Sequence, residues 1–212
     1  MDVNLPKNSP IDNGGSVARI FLLFGIGVLL PFNIVLSCMD FYIEKMPGYQ
    51  PASVFTFAIN LPSWLTQILI TVYGQNISYS SKVIFAFILQ LIMILPVPFL
   101  ANIGGGTGYY TTMIALAIFG VGSGVAQVTV FSMGAKFPFK YMAAIMLGNG
   151  IAGIGSNILR VITLLIFPAS DEGQGAFFST LSMFTFGVLI LVACVFAQIC
   201  LNKNSFAKYY LD

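Results

Sequence analysis

Residues 146–167 read MLGNGIAGIGSNILRVITLLIF. As a helix this stretch is long enough to cross a hydrocarbon core of ~30 Å, which takes ~20 residues. Asn149, Gly153, Ser156 and Arg160 recur at steps of four, three and four, so they share one helical face. Most of the remainder is apolar. A charge in mid-span costs ~2.5–3.5 kcal/mol on insertion scales, so Arg160 either snorkels or caps carbonyls, or answers a polar cavity or a carboxylate. The stretch is therefore one wall of a bundle with a polar side and a lipid side.

The rest of the chain agrees. Its 212 residues are 58% hydrophobic and 8% charged, against ~25% charged in soluble domains, and mean hydropathy is +0.92. Apolar runs over 20–39, 53–73, 83–102, 110–134, 142–167 and 177–201 predict six transmembrane helices, with no alternating barrel-type segments. The fold class is all-α, a polytopic membrane protein in the lipid bilayer, because helices satisfy every backbone group without water. Residues 1–18 form a polar N-terminal segment without the character of a presequence, 19–201 the six-helix bundle, and 202–212 a polar tail.

Lys7, Arg19, Lys82, Lys136, Lys140, Lys203 and Lys208 fall on one side of these spans and only Lys45 on the other. The positive-inside bias then places both termini on the cytoplasmic face, or the equivalent face of an organelle. Asn76-Ile77-Ser78, a glycosylation-type triplet, falls on that same face and is expected to be unmodified. Cys38, Cys194 and Cys200 sit within or at the ends of spans and suggest neither a disulfide framework nor a metal site. A net charge of +2, with no basic patch, gives no reason to expect nucleic acid.

Polar residues inside the spans are patterned. Thr56, Asn60, Trp64, Gln67 and Thr71 share a face of span 2; Gly120, Ser123, Gln127 and Gly134 a face of span 4; Asn33, Ser37 and Asp40 a face of span 1. An unpartnered amide or hydroxyl in hydrocarbon costs several kcal/mol. The stripes either hydrogen-bond between helices or surround a shared polar cavity; together they favour the cavity. Arg160 has amides, carbonyls, water or Asp40 as partners in this chain, or a carboxylate on another. Gly120 with Gly124, and Gly148 with Ala152, are small-xxx-small pairs that let backbones approach. Spans 4 and 5 are expected to pack on each other around Lys136-Phe137-Pro138-Phe139-Lys140, and Pro31 and Pro62 to bend spans 1 and 2.

Several chemistries are excluded. The chain has no histidine, which removes His-dependent hydrolysis and His-ligated metal or haem. Gly122-Ser123-Gly124 lacks a base and reads as helix packing rather than a nucleophile. Gly104-Gly105-Gly106-Thr107-Gly108 lacks the lysine of a phosphate loop and reads as a turn. No acidic residue lies deep in a span to serve a proton relay or cation site. An enzyme is not expected, and no cofactor or metal is implied. Passive facilitation of a neutral polar solute fits best.

Span 1, GIGVLLPFN (Gly25 to Asn33), and AQVTVFSMGAKFPFKYMAAIMLGNGIAG (Ala126 to Gly153) resemble the equilibrative nucleoside transporter family. That family has a Gly-x-Gly…LeuLeuProTrpAsn motif in its first helix, and a Phe-Pro-x-x-Tyr turn followed by Met-x-Gly-Gln-Gly-x-Ala-Gly. The matching residues here are Phe137, Pro138, Tyr141, Met146, Gly148, Asn149, Gly150, Ala152 and Gly153. The tail SFAKYYL, Ser205 to Leu211, is similar to the Phe-x-x-Tyr-Tyr after the family's sixth helix.

The resemblance implies the N-terminal six-helix bundle of a major-facilitator-like carrier that moves nucleosides or nucleobases down their gradient. By position it implies that Gln127 contacts the base, that Phe32 stands at a cavity-facing tryptophan, and that Asn33 is the motif asparagine. It ties Gly148 and Gly153 to helix packing and activity, and it sets Arg160 where some protist members carry an arginine. With the stripes, the candidate substrate-binding residues are Phe32, Asn33, Asn60, Trp64, Gln67, Gln127, Asn149, Ser156 and Arg160, and the candidate packing residues Gly120, Gly124, Gly148, Ala152 and Gly153.

Phe32 and Asn149 depart from the family's Trp and Gln. The family has eleven helices, and the Asp and Arg that hold the ribose lie on a later one without a counterpart here. Two functions follow. One is a facilitative nucleoside or nucleobase carrier whose cavity is completed by a second copy or a membrane-protein partner. The other is a transport-inactive half-transporter retained as a structural subunit of a membrane complex.

Overall fold

The computed structural model describes residues 15–168 and 174–211. All regular structure among them is helical: α1 (Ser16–Ser37), α2 (Met39–Lys45), α3 (Pro51–Tyr73), α4 (Tyr79–Ile94), α5 (Val97–Ile103), α6 (Gly105–Ala135), α7 (Phe139–Ile166), α8 (Gln174–Lys203) and α9 (Ser205–Leu211). Six membrane-spanning segments result: α1, α3 with the 3-10 turn after it, α4 with α5, α6, α7 and α8. The third is not one continuous helix. It breaks at Leu95-Pro96 because Pro96 has no N–H to continue the α4 ladder, and Pro98 fits the first turn of α5, where no donor is needed. Pro31 and Pro62, by contrast, lie inside the continuous helices α1 and α3.

The turns follow their sequences. Gly104 (φ 70°) and Gly105 (φ 58°) take the left-handed conformation that reverses the chain from α5 into α6. Ser78 caps α4, its hydroxyl accepting from the Ser81 N–H at 3.2 Å.

The packing follows a two-triplet logic. The first three spans are α1, α3 and α4/α5; the last three are α6, α7 and α8. Helix α1 packs against α7 and α8, the second and third spans of the other triplet, while α6 packs against α3 and α4, the second and third of the first. An odd number of crossings per triplet makes the two opposite in orientation, the inverted-repeat arrangement of transporter folds. The core therefore lies around α1, α4, α6 and α8, with Phe21, Phe24, Phe87, Phe119 and Phe184 fully buried. Helices α3 and α7 stand at the margins, with most of their length unburied.

One expectation is overturned. Spans 4 and 5 do not pack along each other: α6 and α7 meet mainly beside their connecting turn, where Gly134 faces Ile145 and Met142. The reason lies in the small residues: those on α6 are matched to α3, and Gly148 on α7 to α1. A Cβ on Gly120 or Gly124 would overlap the carbonyl oxygens of Ile59 or Ser63 on α3. One on Gly148 would overlap the Leu22 carbonyl on α1, and reciprocally one on Gly25 the Ile145 carbonyl on α7. Without lipid-excluding hydrophobicity to drive association, such close backbone approach is what holds membrane helices together.

Candidate functional site

The polar residues picked out in the sequence separate into two clusters. The first lies on the α3–α6 seam. Because Gly120 and Gly124 bring the two backbones together, side chains one turn further on can meet: Gln67 Nε2 donates to Gln127 Oε1 at 3.0 Å and to Ser63 Oγ at 3.2 Å. Both glutamines are partly exposed. They satisfy one another and keep an open side, which a solute could address.

Along the same face of α3, Thr56 and Asn60 bond back to their own helix, to Ala52 O at 2.7 Å and Thr56 O at 2.9 Å. Trp64 is 63% exposed. Ala52, Ser53, Thr56, Phe57, Asn60, Leu61 and Trp64 line an open groove of about 420 Å3. An amphipathic ring beside amides suits a flat polar ligand.

The second cluster surrounds Arg160, which is 8% exposed. Its guanidinium donates to Ser179 Oγ on α8 at 3.0 Å and is ion-paired with Asp40 on α2. Three elements converge there because α7 turns its Gly148, Ala152, Ser156, Arg160 and Thr163 face inward. Ser156 Oγ donates to Gly153 O at 3.0 Å and Thr163 Oγ1 to Arg160 O at 3.0 Å. The guanidinium, compensated by a carboxylate and a hydroxyl, ties α2, α7 and α8 together at the end of the bundle that also holds Glu44 and Lys45.

Phe32 and Asn33 on α1 are half-buried, and Phe32 packs against the core. Asn149 is half-buried, and its Oδ1 is enclosed without a hydrogen-bond partner. Gly148 and Ala152 are buried toward α1, whereas a Cβ at Gly153 would meet nothing within 4 Å. The structure thus brings Gln67 and Gln127 together with Trp64 and Asn60 nearby on α3, and sets Ser156 and Arg160 in a separate inner cluster.

Sequence pattern missed Ser63 and Ser179, single hydroxyls off the polar stripes. It also missed Gln90 and Gln198, wholly buried on α4 and α8. Gln90 Nε2 reaches Gly122 O at 3.5 Å and Gln198 Nε2 donates to Asn202 Oδ1 at 2.8 Å. Isolated amides in otherwise apolar spans carry no periodic signal, and only the third dimension assigns them to α4–α6 and α8 packing. Among the described residues there is no grouping of three or more His, Cys, Asp or Glu side chains that could hold a metal ion.

Six apolar helices in two opposed triplets, joined by glycine seams and bearing a partly exposed amide pair, define a polytopic α-helical membrane protein. Residues 113–212 match the family model described as nucleoside transporter. Equilibrative nucleotide transporter 1 of Arabidopsis thaliana is 24% identical over 96% of this chain and 46% of its own length. Equilibrative nucleotide transporter 7 of the same plant is 29% identical over 93% of this chain and 48% of its own. The human equilibrative nucleoside transporter 4 is 22% identical over 99% of this chain and 39% of its own. The chain is thus similar in sequence to proteins named equilibrative nucleotide or nucleoside transporters. It spans about half the length, or somewhat less, of the curated relatives it matches.

Proposed function

We propose that this chain forms one bundle of a facilitative, uncoupled carrier for nucleosides or nucleobases, and that the α3–α6 seam is its substrate-facing wall. The observation that carries this reading is the Gln67–Gln127 hydrogen bond, set at a glycine-tightened helix crossing with a partly exposed face. An amide pair offers both donors and acceptors, which matches the edge of a nucleobase, and exposed Trp64 offers a ring on which a base can stack. The name of the human relative, equilibrative nucleoside transporter 4, supports the substrate class.

The same wall requires a facing one. Gln67, Gln127 and Asn60 open toward lipid would each cost free energy, so a second bundle covers them, whether from further sequence, a second copy or a partner chain. Among the described residues no carboxylate lies deep in a span, so these six spans offer no side chain for a proton relay or a sodium site. On the proposed orientation both ends of the chain are cytoplasmic, with Lys82, Lys136 and Lys140 on that face.

The test is uptake of radiolabelled adenosine by proteoliposomes containing the chain. Saturable uptake that equilibrates without concentrating, and that ignores an imposed proton gradient, is expected. Concentrative uptake contradicts the uncoupled mechanism. Absence of uptake together with purification in a fixed-ratio membrane complex would favour the structural-subunit role, for which the internally compensated Arg160 is the relevant observation.

A further inference from the structure

A second polar site lies past the Gln67–Gln127 bond on the same seam, at the basic end of the bundle. Here α3, the 3-10 turn at Gly74–Asn76, α4 and α6 enclose a cleft of about 310 Å3 lined by Thr71, Gln75, Tyr79, Lys82, Thr129 and Ser132 among others. Lys82 is 8% exposed. Its Nζ donates to Gly74 O at 3.0 Å and sits 4.7 Å from the centre of the Tyr79 ring. The Lys136 ammonium lies 4.9 Å from the centre of that same ring. The two cations are therefore no farther apart than about 10 Å, roughly the Debye length at 0.1 M salt.

Neither faces a carboxylate among the described residues. The acidic side chains there, Asp40 and Glu44, stand at the opposite end of the spans. Thr129, 1% exposed, also lines the cleft, and its hydroxyl has no hydrogen-bond partner. Lys82, a largely buried residue with donors to spare, and the unused Thr129 hydroxyl beside Gln75 and Ser132 make a donor-rich, positively charged cleft, with Lys136, which donates to Leu211 O at 3.4 Å, just outside its lining. Buried cations are costly unless an anion answers them, and phosphate oxygens are the acceptors that lysine and hydroxyl donors serve best.

We infer that this cleft binds a phosphate group, with Lys82 as the principal ligand and Thr129, Gln75 and Ser132 as hydrogen-bonding partners. The group comes from an anionic lipid headgroup or from a free phosphate compound. The inference stands independently of the transport reading, since it concerns a different part of the seam and needs no translocation.

The test uses the full chain in phosphatidylcholine nanodiscs, with two probes read separately. Phosphatidic acid is titrated into the disc lipid and its retention read by native mass spectrometry; inorganic pyrophosphate is titrated in solution and read by calorimetry. Binding of either is expected, and which of the two binds assigns the source. Lys82→Gln is expected to weaken it roughly tenfold and Thr129→Val roughly threefold, as loss of a charge-assisted and a neutral hydrogen bond would. Lys203→Gln, an equal charge change on an exposed residue at the same end, is expected to leave it unchanged. Thr129→Val is nearly isosteric, so it reports on the site even where Lys82→Gln lowers the yield of folded protein. Failure of both probes to bind the wild-type chain, or equal losses with Lys82→Gln and Lys203→Gln, overturns the inference.

Discussion

Gln67 on α3 and Gln127 on α6, sixty residues apart in sequence, are joined by a 3.0 Å hydrogen bond at the point where Gly120 and Gly124 have drawn their helices together. The bond orients both amides, and its open side is what gives the seam a chemistry beyond packing. If a nucleobase docks there, Gln67→Ala and Gln127→Ala should each weaken adenosine binding by roughly five- to tenfold, the value of a hydrogen bond of ~1–1.5 kcal/mol. Because the two amides act as a unit, the double variant should lose less than the product of the single losses. Equilibrium binding of radiolabelled adenosine measures all three, and full additivity would argue that the amides do not share a ligand.

The glycines divide into those that touch another helix and those that do not. Gly124→Ala and Gly148→Ala should each destabilise the bundle by ~1–3 kcal/mol, since the added methyl meets backbone that cannot yield. Gly153→Ala meets nothing within 4 Å and should be neutral or stabilising by up to ~1 kcal/mol through helix propensity. Thermal unfolding in one detergent ranks the three. A destabilised Gly153→Ala protein would mean that a further helix packs on that face of α7.

Arg160 and Asp40 are unequal partners, with side chains 10% and 60% exposed respectively. Asp40→Asn leaves a buried cation short of its carboxylate and should cost ~1–2 kcal/mol, below the ~3–5 kcal/mol of a fully buried pair because water already reaches Asp40. Arg160→Met removes the charge that needed answering, so its cost should be smaller than that of Asp40→Asn. Unfolding midpoints of the two variants decide, and the reverse order would show that the guanidinium contributes more than its ion pair.

Orientation is testable by glycosylation in cells. An Asn-x-Ser acceptor engineered into the Pro47–Pro51 turn should be modified, while Asn76 of the native triplet should not, as the lysine asymmetry implies. Modification of Asn76 would invert the topology.

The spans, the helical class and the pairing of Arg160 with Asp40 as one of its available partners were legible in the sequence, because hydropathy and the cost of a lone charge are local arguments. Partner choice among helices was not. Gly120 and Gly148 announce close contact but not with which helix, so the neighbouring spans α6 and α7 looked like mutual partners when each packs on a member of the other triplet. The polar stripes likewise gave faces without saying that Arg160 turns inward to Ser179 while Gln127 turns to Gln67. Leu95-Pro96 was equally silent, since an apolar run does not reveal that its helix is broken.

The most direct measurement is ligand protection at the seam. With Gln127→Cys, modification by a small water-soluble thiosulfonate should be slowed severalfold by adenosine. Phe178→Cys, on an exposed position of α8, should react at the same rate with and without it. Equal rates at Gln127→Cys in the presence and absence of adenosine would contradict the assignment of the α3–α6 seam as the nucleoside-facing wall.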